Sequence, residues 1–417
     1  MKKRTGEFLE RVTMYVRSKE AKVYVKKELD YHMEKEIKHW TAKGLTELEA
    51  EEKVIKEMGS PERLGMKMNE LHRPKIDWLM IGLLILISGI GVLPTLNINQ
   101  ELFNDGDYFT KKLIYLFLGA IIVAALMYLD YRKLQRFKWW IYSVTALMIT
   151  AITFFPNTTI NGSAYFRIAS LTFDSNTVIT ALVLCWVILL GEKQLHFWLT
   201  PILFGLSVLV LMAIPSVPGV IVYSLTVFTL LWYRLKAKRK VISLGAGGMI
   251  LLFCGMLTTA KPYQLERLYA FINPEKYSGY IYLHQRELLM DAGWLGNPRG
   301  SAVIPEAHTD FAFTTITYYY GWLAGISLIL VGILIMSRMI KRAADFKDPF
   351  GKLTIVGGVT LFSVQFLYNI GMSLGLLPIT SVFLPFVSYG LNPTIQLSLV
   401  MGLFLSVYRR KDLVVLQ

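Results

Sequence analysis

The stretch Ile304-Pro305-Glu306-Ala307-His308-Thr309-Asp310-Phe311 runs straight into an apolar segment, about 312–337, built mainly of Leu, Ile, Val, Tyr and Gly. Uncharged runs of roughly 18 or more residues are long enough to cross the hydrocarbon core of a bilayer. Two carboxylates and an imidazole therefore stand at the mouth of a membrane helix. Asp310 falls close to the helix start, where two readings are open. It is an ordinary N-cap favoured by the helix dipole, or a general base in a partly dehydrated pocket, able to take a proton from a hydroxyl nucleophile. His308, two residues away, fits no zinc-ligand spacing, and no metal site is expected from it.

Working outward, segments of the same kind recur at about 78–96, 113–129, 138–155, 176–191, 197–215, 217–233, 241–258, 353–376 and 390–408, making about ten spans. Only 18% of residues are charged and 54% are hydrophobic, which excludes disorder and an ordinary soluble fold. The net charge of +14 invites a nucleic-acid reading. The basic residues instead gather in short loops on alternate sides of the spans, as in Arg132, Lys133 and Arg136, Lys238 and Arg239, and the tail Arg409-Arg410-Lys411. That pattern is a topology signal and places both termini in the cytoplasm, with no nucleic-acid partner. The fold expected is an all-α, polytopic bacterial cell-membrane protein with about ten transmembrane helices, preceded by a small soluble helical domain. Cys185 and Cys254 lie inside apolar runs, so no disulfide is expected.

Residues 1–75 are rich in Lys and Glu and contain no run able to span a bilayer. Stripes at Phe8, Val12 and Val16 and at Leu29, Met33 and Ile37 predict helices. Thr46 with Glu49 predicts a capping box, and Gly59-Ser60-Pro61 predicts a stop followed by a new start. With no apolar leader segment in the first thirty residues, this domain is expected to remain cytoplasmic.

Residues 76–417 form the expected membrane domain, with a long outer loop at about 259–311. Outer loops of this length tend to be functional. This one carries Arg267, Gln285, Arg286, Glu306, His308, Thr309 and Asp310. A second outer loop, about 157–176, carries Asn161, Gly162 and Arg167. Within the apolar sequence, Gln365, Asn369, Gly371, Ser373 and Gly375 are followed by Pro378, Pro385, Ser388 and Tyr389. The glycines are explained by helix packing as well as by function. Asn369 and Gln365 inside a span need a polar partner or ligand.

On these residues the chain resembles the SEDS family (FtsW, RodA and SpoVE) of peptidoglycan polymerases. Ile304–Phe313 (IPEAHTDFAF) is similar to the family's LPEAHTDFIF. Asn369-Ile370-Gly371-Met372, Leu374-Gly375 with Leu377-Pro378, and Leu384–Gly390 (LPFVSYG) resemble NIGM, LGxLP and LPFVSYGG. Arg267-Leu268, Asn273-Pro274 and Gln285 match the approach to the catalytic loop. The resemblance implies a peptidoglycan glycosyltransferase that polymerises lipid II at the outer face of the cytoplasmic membrane, in cell division, elongation or sporulation. It implies Asp310 as the base on the acceptor hydroxyl and undecaprenyl diphosphate as leaving group. Substrate contacts would come from Arg267, Gln285, Arg286, Glu306, His308, Thr309, Asn369, Ser388 and Arg167. A divalent cation such as Mg2+ or Mn2+ is compatible with the diphosphate. The implied partners are a class B penicillin-binding transpeptidase and membrane proteins of the divisome or elongasome.

Several positions depart from the family pattern. The second outer loop should continue as FQPSExxK, but Phe173-Asp174-Ser175-Asn176-Thr177 and Thr180 lose the acid and the lysine. The family's acidic QPDxGTA position is Ser216, a GEE stretch is replaced by Thr317-Tyr318-Tyr319, and Leu391-Asn392-Pro393 follows VSYG. These losses keep open a catalytically silent paralogue acting as a cell-wall scaffold or regulator. A lipid II flippase is a third reading, but the sequence has neither inverted repeats nor a charged midplane path. The N-terminal segment around Met58-Gly59-Ser60-Pro61-Glu62 resembles a cytoplasmic prefix domain of some Gram-positive membrane proteins. It is expected to bind a protein partner or regulate the core.

Overall fold

The computed structural model describes residues 3–96, 107–160, 163–168, 171–192, 199–214, 217–235, 238–239, 241–243, 245–248, 262–277, 279–297, 304–346 and 348–413. They form two compact units, Met1–Asp77 with Val407–Gln417, and Trp78–Ser406.

The first unit contains the helices Lys3–Met14, Lys19–Ala42, Glu47–Met58 and Pro61–His72. Their starts follow local chemistry. The Ser18 side chain accepts from Ala21 N, Thr46 and Glu49 form the reciprocal capping box, and Ser60 caps a helix that opens with Pro61. Val25, Leu29, Met33 and Ile37 form one buried stripe, packed with Phe8, Leu9, Val12, Ala50 and Val54. The end of the chain, assigned from sequence to the membrane domain, joins this unit. Leu413 enters its core. The Arg410 side chain, 1% exposed, donates to Glu20 from Nε at 3.0 Å and from Nη2 at 2.8 Å. Lys75 Nζ lies 2.8 Å from Asp412 Oδ2, and His72 Nδ1 lies 2.9 Å from the Asp412 carbonyl oxygen.

The second unit is a helical bundle. Nine of the ten apolar segments fall on helices; the segment at about 241–258 lies largely outside the described residues. Among the described residues, Trp78–Leu96, Tyr108–Tyr128, Ala312–Asp345, Pro349–Ser373 and Leu391–Arg409 are long and apolar enough to cross a membrane. Ser175–Leu190, Leu199–Ala213 and Gly219–Arg234 are apolar but shorter. Pro349–Ser373 is the central helix, packed against Ala312–Asp345, Val217–Arg234 and Ser175–Leu190. Gly332 allows the closest approach, since a Cβ there would lie 2.1 Å from Phe366 Cζ. Tyr108–Tyr128 is peripheral and buries only Lys112, Gly119 and Met127.

Two segments read as outer loops from sequence carry structure of their own. Residues 157–176 hold an antiparallel sheet, β1 (Thr158–Ile160), β2 (Ser163–Ile168) and β3 (Leu171–Phe173), in the order β1-β2-β3. Tyr165 pairs with Thr158 and Arg167 with Thr172. The long loop contains the helices Pro262–Ile272 and Tyr280–Asp291. Beyond the latter, Gly293–Asn297 docks on a break in the helix Ala312–Asp345 at Gly321, whose φ is 85°. The backbone groups freed by the break are satisfied there. Asn297 N donates to Tyr318 O at 2.8 Å, Trp322 N to Gly293 O at 3.0 Å and Leu323 N to Trp294 O at 3.3 Å.

Candidate active site

The Ile304–Asp310 segment folds as a tight turn at the N-terminal end of the broken helix. Glu306 has a left-handed φ of 48°, rare for a residue with a Cβ. This lets its carbonyl accept from Thr309 N at 3.1 Å and from Phe311 N at 3.2 Å. The Thr309 hydroxyl donates to Glu306 Oε2 at 2.6 Å, and Thr315 Oγ1 donates to Ala307 O at 2.7 Å. The helix starts at Ala312 with Phe311 in the N-cap position. Asp310 therefore stands one position before the N-cap, at the mouth of the helix.

The main chain of the turn is held from behind by the segment 382–389. Tyr389 N donates to His308 O at 2.6 Å, and Ser388 Oγ donates to Thr309 O at 2.6 Å. Asn369, fully buried, donates from Nδ2 to Asp310 O at 2.9 Å and to Val382 O at 2.7 Å. Three consecutive carbonyls, of His308, Thr309 and Asp310, thus have three separate donors. Phe311, Ile304, Met372 and Val382 close the apolar floor. The His308 ring packs between Tyr108, at 4.9 Å, and Tyr389, at 5.2 Å. Burial pushes its imidazole below the usual range, while the Glu306 carboxylate pulls the other way.

Tyr165 on β2 completes the surroundings. Burial, followed by the nearby carboxylates of Asp174, Asp310 and Glu306, raises its phenol well above the ordinary value. The phenol thus lies within electrostatic reach of the carboxylates of the turn. The sequence reading did not single out this residue. Its alternation with Phe166 and Arg167 beside Asn161-Gly162 is the available strand signal.

The remaining candidates are placed apart from this cluster. Gln285 is buried and Arg286 exposed, and both line a cavity of about 620 Å³ with Phe271, Tyr282, Trp322 and Ser373. Arg167 is exposed on the hairpin, and its backbone is bracketed by the Asn157 amide, which accepts from Arg167 N at 2.8 Å and donates to Arg167 O at 2.7 Å. The Arg267 side chain lies outside the described residues, although its backbone belongs to Pro262–Ile272. Among the described residues, no group of three or more His, Cys, Asp or Glu side chains is arranged to hold a metal ion.

Beside the hairpin, Asp174 caps the helix Ser175–Leu190 through Thr177 N at 2.9 Å. Gln396 bridges two hydroxyls there. Its Nε2 donates to Thr177 Oγ1 at 2.8 Å, and its Oε1 accepts from Thr180 Oγ1 at 3.4 Å. Asn392 donates to Thr172 Oγ1 at 2.9 Å.

The family model described as cell cycle protein, FtsW, RodA and SpoVE, matches residues 75–413. The chain belongs to this family. A probable peptidoglycan glycosyltransferase FtsW of Trichlorobacter lovleyi is 23% identical over 354 residues, covering 79% of this chain and 92% of the relative. One of the same name from Coxiella burnetii is 27% identical over 358 residues, covering 80% and 93%. Among solved structures, a chain of a peptidoglycan synthase complex that coordinates polymerization and crosslinking superposes with a TM-score of 0.69. It shares 23% identity and covers 81% of this chain and 98% of that one. The Thermus thermophilus rod shape determining protein RodA gives 0.60 at 21% identity, covering 81% and 97%. The positions where the resemblance implies an acid and a lysine are Thr177 and Thr180. Gln396 joins these two hydroxyls, so a neutral network stands where charge was expected. It is continuous with Asp174, one of the carboxylates around Tyr165.

Proposed function

We propose that this multi-pass membrane protein is a peptidoglycan glycosyltransferase that polymerises lipid II at the outer face of the membrane, with Asp310 as the catalytic base. The observation that carries this reading is the three-donor brace on the His308–Asp310 main chain. It fixes the main chain that carries the Asp310 carboxylate at the N-terminal end of an apolar helix. The relatives from Trichlorobacter lovleyi and Coxiella burnetii, both probable peptidoglycan glycosyltransferases, support the same activity.

In the reaction, an acceptor sugar hydroxyl attacks the anomeric carbon of the donor as Asp310 removes its proton. The bond from that carbon to the diphosphate oxygen breaks, and undecaprenyl diphosphate leaves with the electron pair. A diphosphate needs little acid help but is stabilised by cations, the role assigned to Arg167, Arg267 and Arg286. Glu306 and Thr309 shape the turn, and Gln285 lines the cavity beside Arg286. Asn369 and Ser388 hold the turn rather than the sugar, and His308 supports it from the side. The described carboxylates do not form a metal cage, so Mg2+ or Mn2+ would be held mainly by the diphosphate. No step is assigned to it.

The positive loops support cytoplasmic termini, which leaves Asp310 outside. A class B penicillin-binding transpeptidase is the partner proposed, in line with the superposed complex that joins polymerization to crosslinking. Divisome or elongasome proteins would surround the pair, and the N-terminal unit would bind a partner or regulate the core. Thr177 and Thr180 favour one competing reading, a silent family member that binds lipid II as a scaffold or regulator. The deciding experiment is glycan polymerisation from purified lipid II, with and without candidate transpeptidases, for wild type and Asp310→Ala. Polymer that depends on Asp310 is expected. Retained lipid II binding without polymer in every pairing would establish the silent alternative.

A further inference from the structure

Lys112 is fully buried on the helix Tyr108–Tyr128. An ammonium in such a place is costly unless its N–H groups are satisfied. Its Nζ donates to three consecutive carbonyls: Phe386 O at 3.3 Å, Val387 O at 3.1 Å and Ser388 O at 2.8 Å. An ammonium has three N–H donors, and here each has an acceptor.

The carbonyls converge because the chain makes a tight turn. Val387 N and Ser388 N both return to Leu384 O, at 3.1 and 2.9 Å, and Phe386 takes a left-handed φ of 62°. Such a conformation costs a non-glycine residue about 1–2 kcal/mol. Like the last turn of a helix, it leaves carbonyls aimed at one point, where a cation is favourable. The same helix lays Tyr108 and Tyr115 against Tyr389, with ring centroids 5.3 and 5.6 Å apart. Gly91 closes in on the turn too, since a Cβ there would lie 2.5 Å from Phe386 O.

The opposite side of this turn holds the candidate catalytic segment, through Ser388 Oγ to Thr309 O and Tyr389 N to His308 O. We propose that Lys112 is a positioning residue for Asp310: its ammonium gathers the Phe386–Ser388 carbonyls and so sets the turn that braces the His308–Asp310 main chain. With its donors engaged by the main chain, it acts through the turn and not on the reacting atoms. The functional consequence rests on Asp310 being the base; the structural one does not.

The test compares the full-length wild type with Lys112→Met and Lys112→Arg by hydrogen–deuterium exchange and by lipid II polymerisation kinetics. In Lys112→Met, exchange should rise in peptides covering 304–311 and 382–390, and kcat should fall roughly 10- to 100-fold with KM nearly unchanged, the scale of a displaced catalytic group. Lys112→Arg, which keeps a multidentate cation, should recover most of both. If Lys112→Met does not fold, Lys112→Gln replaces it, since its amide can still donate to two of the carbonyls. Unchanged exchange in both peptides would overturn the proposal whatever the activity does. A rise in KM alone would also overturn it by pointing to direct substrate contact. If the wild type forms no polymer, the exchange comparison decides the positioning role while the reading of Asp310 fails separately.

Discussion

The Asn369 amide donates to the main-chain carbonyl of Asp310 at 2.9 Å, so a side chain from the central helix fixes the backbone of the proposed base. Its second bond, to Val382 O at 2.7 Å, ties the same point to the neighbouring segment 382–389. Asn369→Ala leaves both carbonyls without this donor, a loss of about 2–3 kcal/mol. Polymerisation should fall with it, and Asn369→Asp, which removes the N–H donors and adds a charge, should be worse. Thermal unfolding in detergent together with the lipid II assay checks both statements. Full activity in Asn369→Ala would show that the brace is dispensable.

The pH dependence of stability should carry a contribution from His308. Burial lowers its imidazole below the ordinary value of 6.5, so between the lowered value and 6.5 the unfolded chain binds more protons than the folded one. The contribution is therefore present above about pH 6.5 and is lost as pH falls toward the lowered value. Melting temperatures from pH 8 down to 5 should drop less steeply for His308→Gln than for wild type. Parallel curves would exclude the contribution.

Gly321 should tolerate no side chain. A Cβ there would stand 2.2 Å from Trp294 O, and the φ of 85° is itself unfavourable for any L-residue. Gly321→Ala is expected to push the Gly293–Asn297 segment off the break, at a cost of more than about 2 kcal/mol. Increased proteolysis within 280–300, with the rest of the bundle still protected, is the outcome to look for.

Arg410→Met should weaken the first unit selectively. It removes two charge-assisted bonds to a half-exposed carboxylate, worth about 1–3 kcal/mol. Exchange in peptides from 19–42 should rise more than in those from 349–373. Equal effects in the two units would argue against a local role.

How much of this could be read from the amino acids depends on how local each signal is. Long apolar runs announce themselves, and the caps at Thr46, Glu49 and Ser60 are settled within four residues. The Ile304–Phe313 motif stands out through family resemblance, since nothing in its composition separates a cap from a base. Lys112 escaped notice because its acceptors are main-chain carbonyls 274 to 276 residues away, and every residue type has such a carbonyl. Gln396 was invisible for a related reason: its role appears only once Thr177 and Thr180 lie beside it. The Asn161-Gly162 pair carries a hairpin signal, but β1 and β3, of three residues each, give too little alternation to detect.

The last residues of the chain close the core of the first unit, and that has a consequence for biosynthesis. Residues 3–77 leave the ribosome before any span has been inserted, yet Leu413, Asp412 and Arg410 are made only after all of them. A unit whose helices precede the bundle in the chain is completed only after it. Until then the Arg410 partner of Glu20 and the Asp412 partner of His72 are missing, so closure of this unit follows translation of the whole membrane bundle.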